Sequence, residues 1–216
     1  MDPPRKVTLY FTRHAQSLSN QLASKMLSNI SPDDFIDCGL SPEGLDSIVY
    51  WRNKKLDTIK ECDYIFSSPL KRCLQTALMT YNKTSLEMPI YVMSLLTEFD
   101  KYADCVGRPV LDIKRDLDLV AYNNFKNLDF DTFFMDYNNC NKSEWFSLSF
   151  RYDLHGRLSK LRDFFSESQF TGKKIHVFSH GGVIGNLCNK GIINYQTVKM
   201  VLNQDTKNFI SCEFIA

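Results

Sequence analysis

Long apolar runs are missing from this sequence. None approaches the ~18 residues of a membrane-spanning helix, and the opening MDPPRK lacks the apolar core of a signal peptide. Net charge is nearly missing too. Basic residues number 26 and acidic ones 25, for a formal charge of +1. That balance argues against a general nucleic-acid or membrane-surface binder, although it leaves room for a local cluster of arginines. The 7 cysteines are odd in number and none forms Cys-x-x-Cys, so zinc-ribbon and thioredoxin-type sites have no support and no metal site is expected. Internal repeats and long linkers are also lacking. These absences lead to the expectation of a soluble cytoplasmic protein with reduced thiols. What is present is ordinary globular material, 44% hydrophobic and 24% charged. A chain of 216 residues is expected to form a single domain, 1–216, with a full core.

The order of elements is legible from residue patterns. VTLYF reads as a buried first strand, and SLSNQLASKMLS carries Leu18, Leu22, Met26 and Leu27 at helical spacing. CGLSPEGLDSIVYWRNKK is a turn and a second helix, with Ser41 as N-cap and Pro42 at the first helical position. DYIFSSPLKRCLQTALMTY repeats the opening pattern: a short strand at 64–66, a Ser-Ser-Pro turn, and a helix from about Pro69. MPIYVMSLLTEFD reads as a third strand ending at 96–98. FRYDLHGRLSKLRDFFSES places Leu154, Leu158, Leu161, Phe164 and Phe165 on one helical face. KKIHVFSHGGVIGNL is a strand, a His-Gly-Gly turn and a helix start, and NFISCEFIA is one more strand. The segment 99–149 has scattered charges and an Asn-rich stretch, and is read as a cap or insertion with short helices. Alternating strands and helices predict an α/β fold, a three-layer α/β/α sandwich on a mostly parallel sheet.

In such sheets the ligand sits beyond the carboxyl ends of the strands. Those ends carry Arg13 and His14, Ser67 and Ser68 followed by Arg72, Glu98, and His180. Two arginines offer planar forks of donors matched to a phosphate, and Asn20 adds a further donor. Arg72 falls in the first turn of a helix, where free N–H groups also favour an anion. One neutral imidazole can attack phosphorus, and a second, protonated, can neutralise charge on the transferring group. Glu98 supplies a proton for the leaving oxygen and then a base for water. Taken one at a time these residues carry little weight, because an isolated Arg-His pair or an acid is more often structural. Their joint arrival at strand ends is the signal. His176 inside a strand and His155 on a helix are read as structural or exposed, and the cysteines as small core or surface residues.

The residues then match a known pattern. TRHAQSLSN resembles the Arg-His-Gly signature of the histidine phosphatase superfamily, the phosphoglycerate mutase-like fold, with Asn20 six residues past His14. DCGLSPEG, SSPLKRCLQTA, LTEF and FSHGGVIGNL are similar to four further family elements, in the same order. The resemblance implies that His14 is the phosphorylated nucleophile and Glu98 the proton donor. It implies that Arg13, Arg72 and His180 hold the phosphoryl group with Asn20 assisting, and that no cofactor or metal is needed. His-Gly-Gly at His180 points to the branch of mutases and small phosphatases. In the acid phosphatase and phytase branch the acid follows the second His, where this chain has Gly181 and Gly182. Two departures stand out. The family's Gly after the first His is Ala15, expected to be tolerated if its φ is negative, and its frequent Glu is Gln16.

Glu98 is followed by FDKYADCVGRPV, without the Glu-Arg-x-Tyr-Gly and Gly-x-Asn-Lys stretches that hold a phosphoglycerate carboxylate in the mutases this chain resembles; Lys101 or Arg108 is the available substitute. The expectation is therefore a phosphoric monoester hydrolase acting on a phosphorylated small molecule or a phosphoprotein. A phosphoglycerate mutase or bisphosphatase is the runner-up, and a phosphate-binding scaffold without turnover the third reading. Selectivity is assigned to 99–149, whose aromatics, from Tyr102 to Phe146, either stack on a substrate or form the segment's own core.

Overall fold

KVTLYFTR is rich in β-branched and aromatic residues, and it forms strand β1 (Lys6–Arg13), buried along most of its length as an interior strand must be. The computed structural model describes residues 4–25, 35–59, 61–82, 88–99, 102–134, 145–146 and 152–215. Within them the helices are α1 (Leu18–Lys25), α2 (Pro42–Ile59), α3 (Lys71–Tyr81), α4 (Val110–Lys114), α5 (Leu117–Val120), α6 (Leu154–Phe165) and α7 (Gly181–Cys188). The remaining strands are β2 (Tyr64–Ser67), β3 (Ile90–Val92), β4 (Leu128–Asp129), β5 (Lys174–Ser179), β6 (Thr197–Asn203) and β7 (Asn208–Ile215). They form a seven-stranded sheet in the order β4-β3-β2-β5-β1-β6-β7. Pairing is parallel from β4 through to β1 and antiparallel for β6 and β7.

Alternation along the strands makes two cores. Leu9 and Phe11 of β1, Phe66 of β2 and Val177 of β5 pack with Leu158, Leu161 and Phe165 of α6 and with Val183 and Ile184 of α7. Ile65, Ile90 and Phe178 point the other way, onto Leu74, Ala77 and Leu78 of α3 and onto Ile113 and Leu119. Helices on both faces give the expected three layers. Ser41 caps α2 as anticipated: the Gly44 N–H donates to its Oγ at 3.1 Å. Asp153 caps α6 through the Gly156 N–H at 3.0 Å. Leu18 and Leu22 fall on α1 as read, while Met26 and Leu27 lie outside the described residues.

Three readings need correction. The third strand ends at Val92 and not at 96–98; Ser94–Leu96 is a 3-10 turn. Its leucines are buried, and its carbonyls are needed elsewhere. Arg157 Nη1 donates to Leu95 O (3.4 Å) and Thr97 O (2.5 Å), and Ser179 Oγ to Leu96 O (2.8 Å). A strand could not turn those oxygens toward Arg157 and still pair with β2. Next, 99–149 is not wholly a helical cap, because β4 joins the sheet edge beside β3. Finally, TVKMVLN is an unread strand, β6, whose alternating burial reflects one face in the core. Among the described residues no helix is long and apolar enough to cross a membrane, and the cysteines at 38, 62, 73, 105, 188 and 212 are free thiols.

Candidate active site

β1, β2 and β5 are adjacent and parallel, so their carboxyl ends open on the same edge. Arg13 closes β1, and His14 follows it with its N–H donating to Ser179 O at 3.0 Å. The imidazole of His14 is buried and held at both nitrogens. Nδ1 lies 2.7 Å from Ala15 O, and Arg72 Nε donates to Nε2 at 3.3 Å. A carbonyl oxygen only accepts, and an arginine N–H only donates. Both contacts therefore demand the same tautomer, with the proton on Nδ1 and a lone pair on Nε2. Burial and the two neighbouring guanidiniums push the His14 pKa well below its ordinary value, so the ring is neutral.

Arg72 enters from the first turn of α3 and is buried. Its Nη1 donates to the carbonyl of Asp104, from the segment after Glu98. Asp37, in the DCGL element, places that helix start. Its Oδ1 accepts from Lys71 N at 2.6 Å and its Oδ2 from Arg108 Nε at 2.8 Å. Arg13 donates from Nη1 to Ile192 O at 2.9 Å, whereas its Nε is buried with no hydrogen-bond partner. A buried guanidinium N–H without an acceptor beside a second arginine is what an anionic ligand would satisfy.

Glu98 and His180 complete the cluster. Glu98 Oε1 accepts from Phe99 N and Oε2 from Gly182 N, each at 3.0 Å. Burial raises its pKa above the ordinary carboxylate value, against those two N–H donors and the pull of Arg72 and Arg13. His180, the N-cap of α7, is fully buried; its Nε2 lies 2.8 Å from Ser68 Oγ and 3.3 Å from Cys73 Sγ, and the two histidine rings are 5.2 Å apart between centroids. The sequence reading made this second histidine a cation. Burial, Arg72, His14 and Arg13 depress its pKa well below the ordinary value, which favours the neutral ring.

All six sequence-derived residues thus reach this edge, with Asn20 at the margin. Its Oδ1 accepts from Asn194 Nδ2 at 3.0 Å, which leaves Nδ2 as the end able to donate to a ligand. Sequence reasoning missed Asn194, whose Nδ2 also donates to His14 O at 3.2 Å, and Tyr195, whose N–H reaches the same oxygen at 3.1 Å. It also missed Asp104 and the buried Arg157. GIINYQT and DC carry no pattern that marks them, because their contacts exist only once the segment before β6 lies beside His14 and the segment after Glu98 lies beside α3. Both departures are accommodated by the backbone and its neighbours. Ala15 does not have a positive φ, and its N–H donates to Thr76 Oγ1 at 3.1 Å. Gln16 Oε1 accepts from Ser41 Oγ at 2.7 Å, at the start of α2. His176 is a core residue between Thr12 Oγ1 (2.8 Å) and Tyr81 OH (2.7 Å), and His155 is exposed, as read.

Comparison with known proteins agrees with this fold. Solved structures with the same fold include a phosphoglycerate mutase from Bacillus anthracis str. Sterne (16% identity, 98% of this chain and 93% of that one, TM-score 0.59). Others are the α-ribazole phosphatase of Shigella flexneri (18%, 97% and 95%, TM-score 0.54) and the ecdysone phosphate phosphatase of Bombix mori in complex with tungstate (11%, 97% and 92%, TM-score 0.56). At these identities they are alike in fold. No curated protein matches the chain in sequence. The model of the histidine phosphatase superfamily (branch 1) matches residues 9–197, a span that runs from β1 to the start of β6. The chain belongs to the histidine phosphatase superfamily, branch 1, a family whose chemistry is phosphoryl transfer.

Proposed function

We propose that the protein is a phosphomonoesterase that needs no metal and works through a phosphohistidine on His14. The observation that carries this reading is the double constraint on the His14 ring, which puts the proton on Nδ1 and leaves the Nε2 lone pair facing Arg72. Arg13, Arg72 and the Asn20 amide hold the phosphoryl oxygens, and the two arginines supply the positive charge a metal would otherwise bring. Nε2 attacks phosphorus as the bond to the alcohol oxygen breaks, and Glu98 gives that oxygen its proton. Glu98, now ionised, takes a proton from water as the water oxygen attacks the phosphohistidine; Nε2 leaves with its lone pair and inorganic phosphate is released. His180 donates a hydrogen bond to the phosphoryl group, and a bound dianion would favour its protonated form.

The mutase reading loses its substitute arginine. Arg108 is already bound to Asp37 at 2.8 Å and to Asp116 at 2.7 Å; Lys101 lies outside the described residues. The expected substrate is a phosphorylated small molecule, with a phosphoprotein as the less favoured class. The test is His14→Ala assayed on p-nitrophenyl phosphate with EDTA present. Wild type should remain active, the variant should lose ~10³-fold or more, and an acid-labile, base-stable phosphoenzyme should be trapped in wild type alone. Near-normal turnover by the variant would overturn the mechanism.

A further inference from the structure

Beside the phosphate grip lies a cavity of about 520 Å³ whose walls include Ser19, Asn20, Phe35, Tyr102, Ala103 and Asp104. Its inner wall is one hydrogen bond from the arginine clamp, because Arg72 Nη1 donates to the backbone oxygen of Asp104. Two features set its chemistry. Most described aromatics of 102–146 are committed to packing: Phe130, Phe134 and Trp145 are buried, and Phe133 sits 5.5 Å from Phe66. Among the described aromatics of the segment Tyr102 is the exposed one, 61% exposed at the cavity wall, with Phe35 in the same lining. The second feature is the Asp104 carboxylate, whose Oδ2 accepts from Ser19 Oγ at 2.8 Å. None of the described lining residues is basic, and Arg108 is held by Asp37 and Asp116.

We propose that this cavity receives the alcohol part of the substrate, and that Asp104 selects phosphomonoesters with an apolar or aromatic body bearing a hydrogen-bond donor or a cation, against those bearing a second anion. The proposal rests on the phosphomonoesterase reading above. Its physical basis is simple. A bound phosphate uses the charge of Arg13 and Arg72, so a second anion meets an acceptor-only carboxylate with no described cation in the walls, whereas an ammonium or hydroxyl finds a partner there. Tyr102 and Phe35 offer flat apolar surface to the rest of the alcohol.

The experiment compares 4-(aminomethyl)phenyl phosphate with 4-carboxyphenyl phosphate in wild type and in Asp104→Asn. Asparagine keeps the backbone carbonyl for Arg72 and an Oδ1 for Ser19. The change in the ratio between the two proteins cancels the intrinsic difference between leaving groups. Wild type should favour the ammonium ester in kcat/KM, and Asp104→Asn should shrink that preference by about tenfold, chiefly through KM; charged contacts of this kind act over such a range. A ratio that does not move on substitution overturns the proposal. Tyr102→Ala guards against a misfolded Asp104 variant. It should raise KM for phenyl phosphate about fivefold or more, the scale of a lost aromatic contact, without changing inhibition by inorganic phosphate, which occupies the clamp alone. Equal effects on both would also overturn it. Should wild type hydrolyse neither ester, the phosphomonoesterase reading fails by itself. Selection at Asp104 is then read from the dissociation constants of the two esters by calorimetry, where equal values in wild type and variant would reject it.

Discussion

In the proposed mechanism a main-chain oxygen, and no side-chain acid, prepares His14 for attack. Because Ala15 O is part of the turn after β1, the tautomer is set by backbone geometry and needs no titratable partner. Glu98 is the complementary case, a carboxyl whose pKa burial raises above the ordinary carboxylate value. For phosphoryl transfer to His14 the protonated form is the active one, so the rate with a poor leaving group should fall as pH rises through the elevated Glu98 pKa. Glu98→Gln is expected to slow an alkyl phosphate by ~10²–10⁴-fold and p-nitrophenyl phosphate far less, and to flatten that alkaline limb. Equal slowing of both esters, measured by steady-state kinetics across pH, would remove Glu98 from the role. At this scale the sequence was informative: Arg13, His14 and His180 were legible from strand-end position and Arg72 from the helix start after β2, whereas Glu98 was found through a strand end that the structure places at Val92. The depressed pKa of His180 was not legible, since it depends on the burial and neighbouring arginines that only packing creates.

Among the elements, the start of α7 couples most directly to chemistry. Gly182 gives its N–H to Glu98 at 3.0 Å, and a Cβ there would run into Glu98 Oε1 and the Phe99 ring. Gly182→Ala should therefore displace the acid. The expected result is a loss of at least about tenfold in kcat on alkyl phosphates, in the range of general acid catalysis, with an unfolding midpoint close to wild type. A variant with full activity would show that the contact yields without moving Glu98. Helices were the easiest elements to read, because their apolar spacing and caps are local: Ser41, Pro42 and the stripe Leu154, Leu158, Leu161 and Phe165 sufficed. The short β3 and the turn at Ser94–Leu96 were not separable in sequence, since a continuous apolar run suits either until Arg157 and Ser179 claim its carbonyls.

Across the whole molecule, the segment after Glu98 is tied to the start of α3 and to the turn before α2 by a charge network. Arg108 binds Asp37 and Asp116, and Lys71 binds Asp116 at 3.1 Å and Asp118 at 2.7 Å. Asp37 is buried, and its pKa is raised by that burial to about 6 even with Arg108 beside it. Arg108→Met leaves this carboxylate without its cation and should cost about 3 kcal/mol near pH 7.5, as broken buried pairs do. The sign with pH follows from linkage. A folded-state pKa above the unfolded value means that the folded protein binds more protons, so the contribution of this group rises as pH falls through that elevated value. Removing Arg108 raises it further, and the deficit of the variant should shrink toward pH 5 in urea titrations. The buried His14, His176 and His180 act in the opposite direction but are shared by both proteins and cancel. A deficit independent of pH would mean that Asp37 is not the group left unpaired.

By itself the sequence determined the alternation of strands and helices around β1, β2 and β5, the parallel core of the sheet, and the residues delivered to its carboxyl edge. Those follow from periodicity, capping and strand-end position, which are properties of short windows. Only the tertiary structure decided what those residues find there. Asn194 and Tyr195 support His14 from a segment some 180 residues away, Asp104 meets Arg72 across 32 residues, and β6 closes the far side of β1. Each of these depends on which backbone groups remain unpaired once the sheet has formed, and no local pattern encodes that.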